Sequence, residues 1–153
     1  MVLVRPIDGP KKKYTITFRD SLALIPSRLA GFPAMFHLNN TGPKEIFPYH
    51  YYNEETMYRG VFPLCGVNEK PQWGLDEYKH VEIILKNKGW LGKDERHFNS
   101  MEYFLFYCKR DVQILKQGFL KFQHYCNEDF NLDCTNFLTI SSLAYHYVRT
   151  TSF

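Results

Sequence analysis

One long amphipathic stretch, residues 99–126, constrains the fold of this 153-residue chain more than any other feature. Its apolar residues recur at intervals of three and four, a spacing that turns one side of an α-helix toward a hydrophobic core. The predicted inward positions are Met101, Phe104, Cys108, Val112, Leu115, Phe119, Phe122 and Cys126. Asn99 or Ser100 can cap the first turn, and Glu102 occupies the position of a capping-box acid. The sequence therefore predicts one long helix that the rest of the chain supports.

A tyrosine and an acid lie one helical turn apart at the edge of this apolar stripe. Tyr107 and Asp111 share one side of the predicted helix, and Cys108 and Leu115 are the neighbours of the carboxylate. A partly desolvated carboxylate must pair, bind a cation or rise in pKa. A solvated acid beside a packed tyrosine is the simpler interpretation, because 11 tyrosines make chance matches common.

Length and composition limit the class of protein. At 153 residues the chain fits one domain, and 44% hydrophobic with 17% aromatic residues suffice for a core. The net charge of +3 permits a polyanionic partner without requiring one. The four cysteines lack CxxC spacing, which favours reduced thiols in an intracellular protein over a zinc site.

The sequence predicts neither a membrane segment nor secretion. No apolar run approaches the roughly 20 residues of a membrane-spanning helix. The first five residues are too short to be a signal peptide. An intracellular location is expected, and the nucleus, the cytoplasm and the mitochondrion all stay open.

The first third of the chain predicts little regular structure. Prolines and a glycine in residues 1–13 predict an irregular lead, whereas the β-branched and aromatic residues 14–18 predict a strand. Residues 21–38 have the apolar spacing of a helix that Pro33 would break. Ser21, at the junction, could cap that helix or meet a ligand at its amino end.

A long segment rich in glycine, proline and aromatic residues follows at 39–73. Loops of this length are usually functional or covered. Lys44 precedes Phe47 and Tyr49, so a cation stands beside aromatic rings that could follow a nucleic-acid strand. An ordinary surface lysine is the simpler alternative.

Two further helices complete the predicted architecture. Residues 75–88 form the first, which Gly89 would end, and residues 138–149 form the second, with Asp133 as a possible cap before it. The inward positions predicted for these helices are Leu75, Tyr78, Val81, Leu85, Leu138, Leu143 and Tyr147. Small residues predict close packing of the second helix on a neighbour, namely Ser141, Ser142 and Ala144.

Four separated patches, in their order and spacing, resemble the 3'-5' exonuclease region of protein-primed family-B DNA polymerases of the organellar and viral type. The patches are 18–25, similar to a Ser/Thr-Leu motif; 44–49, similar to a lysine motif; 58–63, a Tyr-Gly-Pro turn; and 107–111, similar to the third exonuclease motif. The resemblance runs from about residue 14 to the end.

The resemblance implies an α/β, ribonuclease-H-like fold, of which this chain would be an incomplete and mostly helical fragment. Residues 14–153 would be the back portion of the exonuclease domain of a DNA-directed DNA polymerase, which serves DNA replication and binds nucleotides and DNA. The palm, fingers and thumb would lie outside the chain, as would the Asp-x-Glu pair and another aspartate of the earlier exonuclease motifs. We therefore expect the isolated chain to be nearly inactive.

The resemblance also implies roles for single residues. Asp111 would be a ligand of one of two divalent metal ions, Mg²⁺ or Mn²⁺. Tyr107 would bind the attacking water or the scissile phosphate, and Lys44 would offset the charge that develops on that phosphate. The residues implied to hold the strand are Ser21, Leu22 and Tyr49. The implied partners are a single-stranded DNA 3' end, the remainder of the polymerase and a terminal protein primer.

Two alternatives from other classes stay open. One is a nucleic-acid-binding remnant that keeps the strand-holding residues and has lost catalysis. The other is a helical interaction module without a nucleic-acid role, which the lack of a strong basic stripe allows.

Overall fold

The computed structural model describes residues 2–7, 13–39, 44–47, 75–94 and 97–152. The regular elements in these ranges are two strands, β1 (Val2–Ile7) and β2 (Lys13–Phe18), and four α-helices, α1 (Phe32–Met35), α2 (Leu75–Lys88), α3 (Ser100–Phe130) and α4 (Ile140–Thr151). The described part is therefore mostly helical. None of its helices combines the length and hydropathy needed to cross a membrane.

The described residues divide into two compact units. The terminal unit lies within Met1–Pro43 and Gln113–Phe153, and the central unit lies within Lys44–Val112. Helix α3 contributes residues to both, so each unit has a core built against its own part of one helix.

The chain begins with an antiparallel hairpin. β1 pairs with β2 so that Val2 is opposite Phe18 and Ile7 is opposite Lys13. The strand predicted over residues 14–18 is confirmed as β2, but the prediction of an irregular lead over residues 1–13 is wrong for Val2–Ile7. Valine and isoleucine favour the extended backbone. Within the described residues the sheet has two strands, so Pro6 lies in an edge strand, where a proline is tolerated.

The helix predicted over residues 21–38 is wrong as a continuous element. Two 3₁₀ turns, Ser21–Ala23 and Leu29–Gly31, are separated by irregular backbone and followed by the short α1. The interruption lies around Pro26, since a proline disfavours the helical conformation of the residue before it.

Two details of this region also differ from the prediction. Asp20, not Ser21, caps the first turn, because its carboxylate accepts a hydrogen bond from the backbone N–H of Leu22 at 2.9 Å. Pro33 does not break a helix but lies in the first turn of α1. A proline is favourable there because the first N–H groups of a helix have no partner within the helix.

Helix α2 is confirmed with its predicted bounds. Val81 and Leu85 are almost fully buried, as the apolar spacing predicted. Gly89 ends the helix with a positive φ of 69°, which glycine adopts without strain. Its N–H donates to the carbonyl of Lys86, and the N–H of Trp90 donates to that of Leu85, a Schellman closure.

Helix α3 is also confirmed, and it continues to Phe130. Asn99 caps it by accepting a hydrogen bond from the N–H of Glu102 at 3.2 Å. Five of the eight positions predicted to face the core do so: Cys126 is buried, and Phe104, Leu115, Phe119 and Phe122 are half-buried against the core clusters. The buried residues of the helix also include Tyr103, Tyr107, Ile114 and Gly118, which were not predicted to face inward. Met101, Cys108 and Val112 were predicted to face the core and are exposed. The prediction gave too little weight to tyrosines, which pack in a core when their hydroxyls have partners.

Among the described residues, buried side chains form three clusters. The cluster in the central unit contains Val81, Leu85, Phe98 and Tyr103. The clusters of the terminal unit contain Leu24, Ile25, Phe32, Phe36 and Ile114 in one case and Cys126, Cys134 and Leu143 in the other. Arg19 ties the hairpin to the second half of the chain, because its guanidinium donates to the carbonyls of Thr135 and Phe137 at 3.1 and 2.9 Å.

Helix α4 is confirmed as the closing helix, with one element before it. Asp133 caps the 3₁₀ turn Cys134–Asn136 by accepting from the N–H of Thr135, as predicted. Thr139 and Ser142 form a reciprocal capping box at the start of α4.

The predicted packing of α4 is only partly right. Leu143 is buried, whereas Leu138 is exposed. The predicted close packing of the small residues is wrong, because all three are exposed, namely Ser141, Ser142 and Ala144.

Replacing Gly118 with alanine should destabilise the chain by up to about 2 kcal/mol. An ideal Cβ at this position would lie 2.4 Å from Cδ2 of Phe32, and that ring is itself fully buried. Overpacking costs about 1–3 kcal/mol, of which the higher helix propensity of alanine offsets about 1 kcal/mol. Urea denaturation followed by circular dichroism measures the change.

Gly31→Ala is the matched control. Its Cβ would lie 3.4 Å from Oγ of Ser27, an ordinary contact, and its φ of −83° suits alanine. We expect a change within about 0.5 kcal/mol. In a Phe32→Leu background the cost of Gly118→Ala should fall; the same cost in both backgrounds would show that the contact with Phe32 is not its origin.

Cys108 should react with iodoacetamide at about pH 8 much faster than Cys126 and Cys134. All three are free thiols, but only Cys108 is exposed. Burial raises the pKa of Cys126 and raises that of Cys134 to about 12. Since the thiolate is the reacting form, roughly one Cys134 thiol in 10⁴ would be ionised at that pH. Timed alkylation and mass spectrometry of a Cys65→Ser chain measure this, and equal rates would contradict the burial.

Candidate functional site

Three polar side chains of the central unit converge on one side of α3. The ammonium of Lys44 lies 3.3 Å from Oδ2 of Asp111 and donates a hydrogen bond of 2.5 Å to the hydroxyl of Tyr107. Tyr107 and Asp111 are one turn apart, and Asp111 lies in the amino-terminal half of the 31-residue helix. The structure therefore brings together the lysine, the tyrosine and the acid that the sequence singled out separately.

Segment 44–47 is held along α3 by contacts on either side of this cluster. The Tyr103 hydroxyl donates to the carbonyl of Ile46 at 2.5 Å. The Phe47 ring packs on Phe104 and Tyr107, with centroid distances of 5.2 and 4.9 Å. These contacts fix the backbone of the segment, so Lys44 reaches Asp111 without needing regular secondary structure.

A second charged group lies beside the first. Glu45 is buried, its Oε2 lies 3.1 Å from Nε2 of His80, and its Oε1 lies 3.9 Å from Nε of Arg110. Burial, and then the negative charge of Glu45, raise the pKa of Tyr103 above its ordinary value. Tyr103 therefore remains a hydrogen-bond donor throughout the physiological pH range.

The sequence interpretation missed Glu45, Arg110 and His80. Glu45 directly follows Lys44, and Arg110 directly precedes Asp111, so adjacency to two candidate residues was the available signal. Nothing in the local spacing indicated that Glu45 is buried, and it is burial that requires a charged partner.

The two oxygens of Asp111 have different surroundings. Oδ2 faces Lys44, whereas Oδ1 is buried and has no hydrogen-bond partner within the described residues. Buried carboxylate oxygens are normally satisfied, and a hard cation such as Mg²⁺ binds oxygen ligands. Oδ1 thus fits a ligand of a divalent metal, but among the described side chains no three of the His, Cys, Asp and Glu type converge on one point.

The residues predicted to hold a DNA strand lie outside the central unit or outside the described residues. Ser21 and Leu22 lie in the terminal unit, where the Ser21 carbonyl accepts from the N–H groups of Leu24 and Ile25 and Leu22 is exposed. Tyr49, together with the predicted turn at 58–63, lies outside the described residues. The expected proximity of Ser21 to Asp111 stays a prediction.

Comparison with known proteins identifies the family. Residues 4–152 match the model of a family described as DNA polymerase type B, organellar and viral. The chain belongs to this polymerase family. The match covers almost the whole sequence, including both compact units and the Lys44–Tyr107–Asp111 cluster, and it confirms the resemblance to family-B DNA polymerases of the organellar and viral type.

Two fungal relatives show how this polymerase-family segment relates to longer proteins. It is 31% identical over 149 residues to a probable DNA polymerase of Neurospora intermedia. The aligned residues make up 94% of this chain and 14% of the relative. It is 24% identical over 150 residues to a probable DNA polymerase of Ascobolus immersus, covering 94% of this chain and 12% of the relative. The segment thus corresponds to a small part of each relative. No solved structure matches it.

Replacing Tyr103 with phenylalanine should destabilise the polymerase-family segment by about 1–3 kcal/mol. The change removes the hydroxyl that donates to the Ile46 carbonyl, so the carbonyl loses this hydrogen bond. Tyr145→Phe, at a tyrosine exposed on α4, is the control and should change stability by less than about 0.5 kcal/mol. Urea denaturation of both variants measures the difference, and equal stabilities would mean that this bond does not hold segment 44–47.

Proposed function

We propose that the chain is the back portion of the metal-dependent 3'-5' proofreading exonuclease domain of a DNA-directed DNA polymerase. The domain would have a ribonuclease-H-like α/β fold in the longer protein. The observation that carries the proposal is the buried Oδ1 of Asp111, which has no hydrogen-bond partner in the described part of the chain and lies beside Lys44 and Tyr107. Membership of the polymerase family supports it.

The reaction assigned to this site is hydrolysis of the terminal phosphodiester. The oxygen of a water molecule bonds to phosphorus, the bond from phosphorus to the 3' oxygen breaks, and a nucleoside 5'-monophosphate leaves. Divalent ions, Mg²⁺ or Mn²⁺, would activate the water and stabilise the leaving oxygen when bound. Asp111 would contribute Oδ1 to one of these ions.

The other two side chains act on the phosphate and the water. Lys44 carries a cation held by two contacts, so it can stabilise the negative charge that develops on the phosphate oxygens. The Tyr107 hydroxyl accepts from Lys44 and is a donor as well. We assign its donated hydrogen bond to the attacking water or a phosphate oxygen.

One carboxylate does not hold two metal ions, and the described residues contain no group of three metal-binding side chains. We therefore assign the remaining ligands to the rest of a longer polymerase. The chain alone should therefore be nearly inactive as a nuclease and inactive in nucleotide addition. The proposed partners are the single-stranded 3' end of DNA, the remainder of the polymerase and a terminal protein primer. We assign Ser21, Leu22 and Tyr49 to the strand, through hydrogen bonds and stacking.

In a full-length polymerase carrying this segment, Asp111→Ala should lower exonuclease turnover by at least about 10²-fold, because it removes a metal ligand. Single-strand affinity measured in Ca²⁺ should change little. Asp129→Ala, at an exposed acid on the same helix, is the control and should retain turnover. Single-turnover cleavage of a labelled oligonucleotide gives the rate, and fluorescence anisotropy gives the affinity.

Variants of the other residues separate chemistry from strand binding. Tyr49→Ala should weaken single-strand binding about tenfold or more, since one stacking contact contributes about 1–3 kcal/mol. Lys44→Ala should lower turnover more than affinity, because its charge acts mainly in the transition state. If Asp111→Ala instead lost affinity as much as Tyr49→Ala, with turnover intact in both at saturating DNA, the assigned mechanism would be wrong.

A further inference from the structure

A cleft of about 460 Å³ lies within the terminal unit, whereas Lys44, Tyr107 and Asp111 belong to the central unit. Its size is in the range of about 300–1,000 Å³ that is usual for small-molecule sites. One wall is the turn at residues 37–39, and the other is one side of α3. The lining residues are His37, Leu38, Asn39, Gln117, Leu120, Lys121 and His124.

The two walls are built to persist without a ligand. The four residues from α3 are spaced by three, four and seven positions, so they share one side of the helix. The turn is anchored just before the cleft by Phe36, whose ring packs edge-on against Phe32 and stacks with Tyr125 on α3. Leu38 packs on the buried cluster beneath. The cleft is thus preformed, which lowers the entropic cost of binding.

The chemistry of the lining selects an anionic and partly apolar ligand. Lys121 supplies a cation, two histidines supply imidazole nitrogens, and no described lining residue is acidic. Glu128 lies 3.9 Å from Nδ1 of His124, one turn further along α3, and is not part of the lining. The leucines add an apolar wall that suits a planar ring.

The remaining polar groups suit the edge of a nucleobase. Asn39 and Gln117 carry side-chain amides, which combine a donor and an acceptor in one plane. Such amides pair with the N6 and N7 positions of adenine. In this cleft the cation therefore matches a phosphate, the apolar wall matches a sugar with its base, and the two amides match the edge of the base.

We propose that this cleft binds one nucleoside 5'-phosphate unit, with the phosphate at Lys121 and the base between the leucines and the amides. The inference rests on membership of a DNA polymerase family and not on the proposed nuclease site. The unit could belong to a DNA strand or be a free nucleotide, and both have the same chemistry at the cleft.

The test is calorimetric titration of the 153-residue chain with dAMP in the presence of EDTA, which removes any contribution from divalent metals. Deoxyadenosine and inorganic phosphate are titrated in parallel. We expect dAMP to bind at least about tenfold more tightly than either. Lys121→Gln should weaken dAMP binding about tenfold, because it removes a charge-assisted hydrogen bond. Lys116→Gln, at an exposed lysine outside the cleft on the same helix, should change it less than twofold.

Competition identifies the source of the unit. If a fluorescent oligo(dA) binds the chain and dAMP displaces it with the affinity found by calorimetry, the cleft takes a nucleotide of a strand. If dAMP binds through Lys121 without displacing the oligonucleotide, the cleft takes the free nucleotide. Either result supports the proposed ligand class.

Three outcomes would overturn the proposal. They are no measurable dAMP binding, binding that Lys121→Gln and Lys116→Gln weaken equally, and inorganic phosphate binding as tightly as dAMP. Because EDTA is present throughout, a failure here is distinct from a failure of the proposed nuclease function. A chain without nuclease activity in Mg²⁺ could still bind dAMP through Lys121.

Discussion

The buried side of α3 is the constraint on which both compact units depend. Tyr103 and Tyr107 contribute to the central unit, and Ile114, Gly118 and Cys126 contribute to the terminal unit. Each unit is too small to bury a large core by itself, and small domains gain little from burial alone. Sharing one long helix gives each unit a rigid surface on which short turns and loops can pack. Irregular segments can then hold functional side chains, because the helix supplies the order.

Segment 44–47 shows how this works for charged groups. Both Lys44–Glu45 and Arg110–Asp111 place a cation before an acid, and the two stretches pair crosswise, Lys44 with Asp111 and Glu45 with Arg110. Lys44 and Asp111 remain about a quarter exposed, whereas Glu45 is buried. Solvent therefore weakens the first pair, which in the proposed reaction would leave the lysine able to respond to charge on the phosphate. The buried Glu45 is better suited to fixing the segment than to chemistry, since separating it from its partners would leave a desolvated charge.

The sequence predicted elements whose signals are local, and it failed where distant contacts decide. Periodicity was enough for α2 and α3, and the positive φ of Gly89 followed from its position after the helix. The continuous helix from residue 21 failed because the apolar spacing outweighed the effect of Pro26 in the prediction. The pairing of Lys44 with Asp111 joins residues far apart in sequence. No spacing rule reaches that far, so the expectation came from resemblance to a family and not from periodicity.

At the proposed site, the cost of Asp111 to folding would be an advantage for binding a cation. A chain selected only for stability would supply a donor to Oδ1, because a buried acceptor without a hydrogen bond costs on the order of 1–3 kcal/mol. Lys44 satisfies Oδ2 and partly offsets this cost, and the partial exposure of the side chain reduces it further. A metal ligand needs the opposite arrangement, in which the side chain is held in place but the ligating oxygen accepts no hydrogen bond from the protein. Placing the acid on a rigid helix, with one oxygen restrained and the other left without a donor among the described residues, meets that need. The local weakness in hydrogen bonding is therefore the feature that a cation-binding role would require.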